Sequence, residues 1–341
     1  MAHLTPHKII IRMPNWIGDL VMATPLLSDI KEHFPDCHLT ALVQSNVAPL
    51  LEKDPRLDAL IYLDRPKNRF ERRSEKKRVI EEIRQGSFDL GILTTNSLSS
   101  AWLFFRGKVK ERIGFKAFLR RFLLSKALPF PLNREEQHLV ATYKELLRPL
   151  GLPLSNTLPA LHCQQEQINQ ALQRLSDLKV SKSQPIIAIN PGAAYGSAKC
   201  WLPERYRTLT KALLKEGRQI IYLGDPKGAS LVDTICRGLP VVNLAGKTTL
   251  EELTAILSQV DVLVTNDSGP MHIASALGIK TVALFGSTSA IKTGPYQKGL
   301  VIHKHVPCSP CYQRECPLDF ACMKQIEVQE VLSAIHKALS P

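Results

Sequence analysis

Several short stretches combine residue types that could hold a phosphorylated ligand. In VLVTNDSGPMHIASALG an apolar strand ends at Asn266, a turn carries Asp267, Ser268 and Gly269, and a helix begins near Pro270. Proline suits the first helical turn, where its missing amide costs nothing, and Asp or Ser suits the position before it, where the side chain caps free amides. The stretch reads as a good helix start. It reads equally as a place where exposed amides and the positive end of the helix dipole could receive a diphosphate, with His272 as a further donor. In NPGAAYGSAKCWLPERY, which follows the apolar run PIIAIN, glycines such as Gly192 let the backbone approach an anion. Lys199 could add a charge-assisted contact or be an ordinary surface lysine. In LGDPKG, Asp225 could accept hydrogen bonds from ribose hydroxyls or cap the next helix.

A different chemistry is offered near the start, where KIIIRM runs into PNWIGDLVMATPLL and puts Gly18 and Asp19 at the turn into a helix. An acid is electrostatically welcome at a helix N-terminus. The same carboxylate could take the proton of a hydroxyl as that hydroxyl attacks a sugar carbon. Other motifs are informative by failing. GKTTL resembles the end of a P-loop, but Val241 stands where the earlier glycine is required, and no G-x-G-x-x-G follows a strand. There is no D-x-D pair to hold a catalytic metal. A metal-independent transfer is favoured, with lysine and helix termini neutralising the leaving diphosphate.

Cys37, Cys163, Cys200 and Cys236 are scattered, as ordinary thiols of a reducing compartment would be. Cys308, Cys311, Cys316 and Cys322 are clustered, with two, four and five residues between successive thiols. That spacing could hold zinc or an iron–sulfur cluster as a structural metal, or form a thiol-rich loop that caps the fold. The net charge of +13 is concentrated, since residues 65–126 hold 17 Lys and Arg against 6 Asp and Glu. Such a stretch could attract nucleic acid, an anionic membrane or an acidic substrate. The part from Arg69 to Arg84 reads as a solvated helix. The part from Trp102 to Lys126 interleaves basic residues, including Arg120 and Arg121, with Trp102, Phe104, Phe105, Phe115, Phe118 and Phe122, and reads as an acceptor surface.

The elements that position these residues alternate along the chain. Strands are expected at KIIIRM, HLTALVQ, ALIYLD and FDLGILTT, then at PIIAIN, QIIYLGD, VVNLAG, DVLVTND and TVALFGS, each followed by a turn and a helical pattern. With 341 residues the chain exceeds one ordinary core. Two doubly wound domains are expected, over residues 1–160 and 180–341, joined by the Pro- and Gln-rich stretch 152–185, within which 164–178 could form a connecting helix. Open parallel sheets bind ligands beyond the carboxyl ends of their strands, and the motifs fall there. The N-terminus lacks the features of a secretory signal, and no run approaches the ~20 apolar residues of a membrane span. A cytoplasmic protein, on or near a membrane at most, is expected.

In this order, PNWIGDLVMATP, NPGAAYGSAKCWLPERY, NDSGPMHIASALG and CSPCYQRECPLDFACM resemble the family of lipopolysaccharide heptosyltransferases, over nearly the whole chain. The resemblance implies an α/β GT-B fold, with two Rossmann-like domains facing a central cleft. The first would bind the acceptor and the second ADP-heptose. It implies transfer of heptose, with inversion, to the first heptose of the lipopolysaccharide inner core at the inner membrane surface, with no cofactor required for catalysis and no nucleic-acid partner. By motif position, Asp19 resembles the catalytic base and Lys199 the phosphate-binding lysine. Gly192, Asp267, Ser268, Gly269 and His272 resemble the donor loops, and Asp225 stands at a variable, ribose-binding position. Leu202 departs from the proline expected after the tryptophan. Members with a different acceptor, and nucleotide-sugar epimerases of the same fold, are the competing readings. Acceptor dependence separates them.

Overall fold

Runs such as Ile9–Ile11 and Val262–Val264 are wholly buried, because both faces of a parallel sheet are covered by helices and the strand core must be apolar throughout. In the computed structural model, which describes residues 6–297 and 299–340, the strands form two six-stranded parallel sheets. The first contains β1 (Lys8–Arg12), β2 (His38–Gln44), β3 (Ala59–Leu63), β4 (Leu90–Leu93), β5 (Glu111–Phe115) and β6 (Lys126–Leu128). The second contains β7 (Ile186–Asn190), β8 (Gln219–Tyr222), β9 (Val242–Asn243), β10 (Val262–Asn266), β11 (Lys280–Phe285) and β12 (Leu300–His303). Their orders are β3-β2-β1-β4-β5-β6 and β12-β11-β10-β7-β8-β9. Each is therefore the Rossmann order, which reverses direction beside its first strand: between β1 and β4 in one sheet, between β7 and β10 in the other.

The chain divides into units Met1–His162 and Cys163–Pro341. The stretch expected to link them is ordered on both sides of that division. Ser155 and Thr157 hydroxyls donate to the buried Asp29, and Lys144 donates to the carbonyls of Ser155 and Thr157, fastening this part to the first unit. The helix Gln165–Asp177 packs on the helix Leu250–Leu257, and Arg174 pairs with Glu252 and donates to the Lys247 carbonyl.

β5, β6 and β12 go beyond the strands expected from sequence. β5 carries Glu111 and Arg112 in a five-residue run, and β6 and β12 are edge strands of three and four residues, a shortness that limits further pairing of a sheet edge. The basic stretch does form a surface helix, Arg69–Gly86, which buries Val79, Ile80 and Ile83 and pairs Arg78 with Glu75 and Glu82 and Arg84 with Glu81. No helix among the described residues is long and apolar enough to cross a membrane.

Candidate active site

The loops after β7 and β10, on either side of the second reversal point, are tied together by two asparagines. Asn266, fully buried, accepts from the Trp201 amide (3.1 Å) and the Tyr206 hydroxyl (3.0 Å) and donates to the Pro191 carbonyl (2.7 Å). Asn190 donates to the Gly192 carbonyl and to the hydroxyls of Thr265 and Ser268. A buried amide satisfied on both its oxygen and its nitrogen fixes one geometry, so the two loops form one rigid floor. On it, Lys199 Nζ lies 2.5 Å from Asp267 Oδ2, with both side chains largely buried. Thr288 donates to the same carboxylate oxygen at 2.7 Å, and Thr293 stands at 3.5 Å.

The helix Gly269–Ala276 begins directly after this carboxylate, with Pro270 in its first turn and no side-chain cap on its amides. The carboxylate that pairs with Lys199 is thus carried by the residue immediately before the N-cap, Ser268. His272 is buried in the opening of this helix. Gly192 has open space where a Cβ would stand, so its surroundings leave room beside the loop. Gly196 is the glycine that packing demands, since a Cβ there would lie 2.1 Å from the Arg314 carbonyl oxygen. Through this approach the cysteine-bearing segment lies on the Lys199 loop: the Ala198 amide donates to the Arg314 carbonyl, and the Tyr195 hydroxyl donates to that of Tyr312. Lys199 and Arg314 both lie over the Tyr195 ring, at 4.9 and 5.3 Å. Asp225, exposed beyond β8, accepts the Gly228 amide at 2.8 Å, so the local turn role is realised.

In the first unit the loop after β1 is organised by the buried Arg12, which donates to the carbonyls of Met13 and Leu42 and to Asn15. The helix Ile17–Ala23 follows, with half-buried Asp19 in its first turn. Tyr143, on the helix Leu139–Lys144, donates its hydroxyl to Asp19 Oδ1 at 3.2 Å. Burial, reinforced by the negative Asp19, pushes the phenol well above its usual range, so Tyr143 stays a donor to the carboxylate. Nothing local in ATYKELL signals this partnership.

Arg120 and Arg121 are not an exposed pair. Arg120 is 1% exposed and turned inward, donating to the Thr95 carbonyl and Asn96 Oδ1, while burial lowers its pKa. Gly114 leaves room for it, since a Cβ there would come within 2.7 Å of Nη2. Arg120 therefore anchors its turn and presents no charge to a surface acceptor, whereas Arg121 is exposed. Of the clustered thiols, Cys308 is exposed and Cys322 is buried under Gly286. Among the described residues no group of three Cys, His, Asp or Glu side chains is placed to hold a metal ion.

Two Rossmann-order units, each with polar side chains gathered at its reversal point, are the architecture of the GT-B fold class, and the comparisons with known proteins narrow that class to a family. Residues 76–321 match glycosyltransferase family 9 (heptosyltransferase), and the chain belongs to that family. It is similar to lipooligosaccharide heptosyltransferase 2 of Campylobacter jejuni, at 28% identity over 98% of this chain and 100% of the relative. It is similar also to lipopolysaccharide heptosyltransferase 2 of Salmonella typhimurium, at 30% identity over 84% of this chain and 85% of the relative. Among solved structures, the Escherichia coli ADP-heptose lps heptosyltransferase II superposes with a TM-score of 0.82 and 26% identity, covering 97% of this chain and 98% of that one. The protein is thus a heptosyltransferase enzyme.

Proposed function

We propose that the protein transfers heptose from ADP-heptose to the first heptose of the lipopolysaccharide inner core, with inversion at the anomeric carbon. The observation that carries this reading is the Lys199–Asp267 pair set beside the uncapped helix Gly269–Ala276. A leaving diphosphate needs positive charge and amide donors; the start of the helix supplies amides, and Lys199 would supply the charge by exchanging its pairing with Asp267 for the phosphate. Gly192, Ser268, Gly269 and His272 would surround the diphosphate, and Asp225 would accept from the ribose through its second carboxylate oxygen.

In the transfer the acceptor hydroxyl oxygen forms a bond to the anomeric carbon while the bond from that carbon to the ADP oxygen breaks, its electron pair leaving with ADP. The hydroxyl proton passes to Asp19. One carboxylate suffices for a single inverting displacement, and Tyr143 holds it in place. The second unit is accordingly the donor-binding domain and the first the acceptor-binding domain, where Arg121 would meet anionic core sugars. The reaction takes place on the cytoplasmic side, with the protein peripheral to the inner membrane, and no nucleic acid takes part.

The test is incubation with ADP-heptose and purified inner-core acceptors carrying no heptose or one heptose, followed by mass spectrometry. Transfer only to the one-heptose acceptor is expected. Transfer to the heptose-free acceptor would assign the activity to the first heptose addition instead, and consumption of ADP-heptose without any acceptor would favour an epimerase.

A further inference from the structure

The turn Phe118–Leu123, sequence FLRRFL, is built inside out. Arg120 is buried, while Phe118 is 89% exposed, Phe122 69% and Leu119 52%. Exposed apolar residues are ordinary one at a time, but three large ones within five residues form a patch that calls for a partner. Phe118 also holds a left-handed backbone, with φ of 38°, a costly conformation for an aromatic residue. The inward Arg120 hydrogen bonds maintain that turn and hold the rings outward. The Arg121 guanidinium lies 4.6 Å from the Phe122 ring centre, and Lys116 is exposed just before the turn.

Exposed apolar residues recur on the neighbouring elements. The helix Leu98–Arg106 packs between this turn and the basic helix Arg69–Gly86, and Leu98, Phe105 and Phe70 are exposed on these helices. The face belongs to the stretch with 17 basic against 6 acidic residues.

We infer that this face docks on an anionic lipid bilayer, with Phe118, Leu119 and Phe122 inserted at headgroup depth and Arg121, Lys116 and the basic helix against lipid phosphates. Aromatic and aliphatic tips under a layer of cations are the composition that an anionic interface retains. The exposed leucines do not stack on bases, which disfavours nucleic acid as the occupant. The inference rests on the reading that the enzyme works at a membrane surface, and its test uses no turnover, so that failure of the transferase reading would leave the result intact.

The full chain is sedimented with vesicles of phosphatidylethanolamine and phosphatidylglycerol, free of any sugar acceptor, and with vesicles of phosphatidylcholine alone. Binding to the anionic vesicles, weakened by salt, is expected. Phe118→Ser with Phe122→Ser should reduce it at least ~10-fold, as loss of two half-inserted rings implies. Melting temperature should be unchanged, because both rings are solvated in the free protein. Arg121→Glu provides an independent loss. The inference is overturned if the wild type ignores anionic vesicles, if the double variant binds as well as the wild type, if binding appears only when a sugar acceptor is added, or if the chain binds an oligonucleotide but not vesicles.

Discussion

The two units share one strand order and differ in what each puts at its reversal point. In the first, the loop after β1 carries a carboxylate held by a buried phenol: Asp19 accepts from Tyr143. In the second, the loops after β7 and β10 carry a lysine and a carboxylate already paired, next to uncapped helix amides. A base must be able to take a proton, whereas a site for a leaving diphosphate must supply positive potential that is fixed before the reaction. On the proposed assignment the same scaffold would serve both ends, because the sheet decides where the loops gather and the loop residues decide what chemistry is offered there.

The comparison is broken most severely by removing its basic half. Asp19→Asn keeps size and much of the hydrogen bonding but loses the charge, so turnover should fall by roughly 10²-fold to 10⁴-fold. Calorimetric ADP-heptose affinity should stay near that of the wild type. Near-normal turnover in the folded variant would remove Asp19 from the chemistry and leave it a helix-terminal role. On the other side, Lys199→Ala should slow transfer by on the order of 10²-fold at saturating donor and without added divalent metal. Unchanged turnover there would show that the helix amides suffice.

The neighbouring arginines sharpen the contrast between anchoring and binding. Arg120→Ala should lower stability by about 2 kcal/mol in denaturant unfolding, because buried acceptors lose a charged donor. Arg121→Ala should stay within ~0.5 kcal/mol of the wild type and instead raise the acceptor KM. Equal loss of stability in both would contradict the inward and outward orientations. Thr288→Val removes one of the hydrogen bonds to Asp267, worth about 1 kcal/mol. It should raise the donor KM severalfold with little change in acceptor KM, and an effect confined to the acceptor would detach Thr288 from the donor site. The smallest effect is expected from Tyr143→Phe. Loss of a donor to the carboxylate favours its protonated form, so the acidic limb of the turnover profile should move to higher pH. A profile identical to that of the wild type would mean that the Tyr143 hydrogen bond does not bear on the base.

What could be read from the chain alone was what depends on neighbours in sequence. Strand, turn and helix start follow one another within about a dozen residues at NDSGP and at PNWIGD, so their apolar runs, glycines and prolines announce a loop at a strand end. The Rossmann-like class followed from the repetition of that pattern. The inner arrangement was different in kind. Tyr143 reaches Asp19 across 124 residues, Lys199 reaches Asp267 across 68, and Thr288 reaches the same carboxylate from the loop after β11. Tyr143 and Thr288 are single polar residues without periodicity or spacing to mark them, and nothing in the motifs that carry Asp19, Lys199 and Asp267 shows which partner each one meets. Only burial makes such a group seek its partner, because an unpaired polar atom removed from water is costly, and which partner it meets is decided when the sheet closes. Arg120 and Arg121 make the same point at one step along the chain. Side by side they look like one basic surface, but packing sends the first under Gly114 and leaves the second in solvent, since a 3₁₀ turn points successive side chains in different directions. Composition along the chain thus determined the class and the loops that matter, and tertiary packing alone decided which of their charges are anchors and which remain available to a ligand.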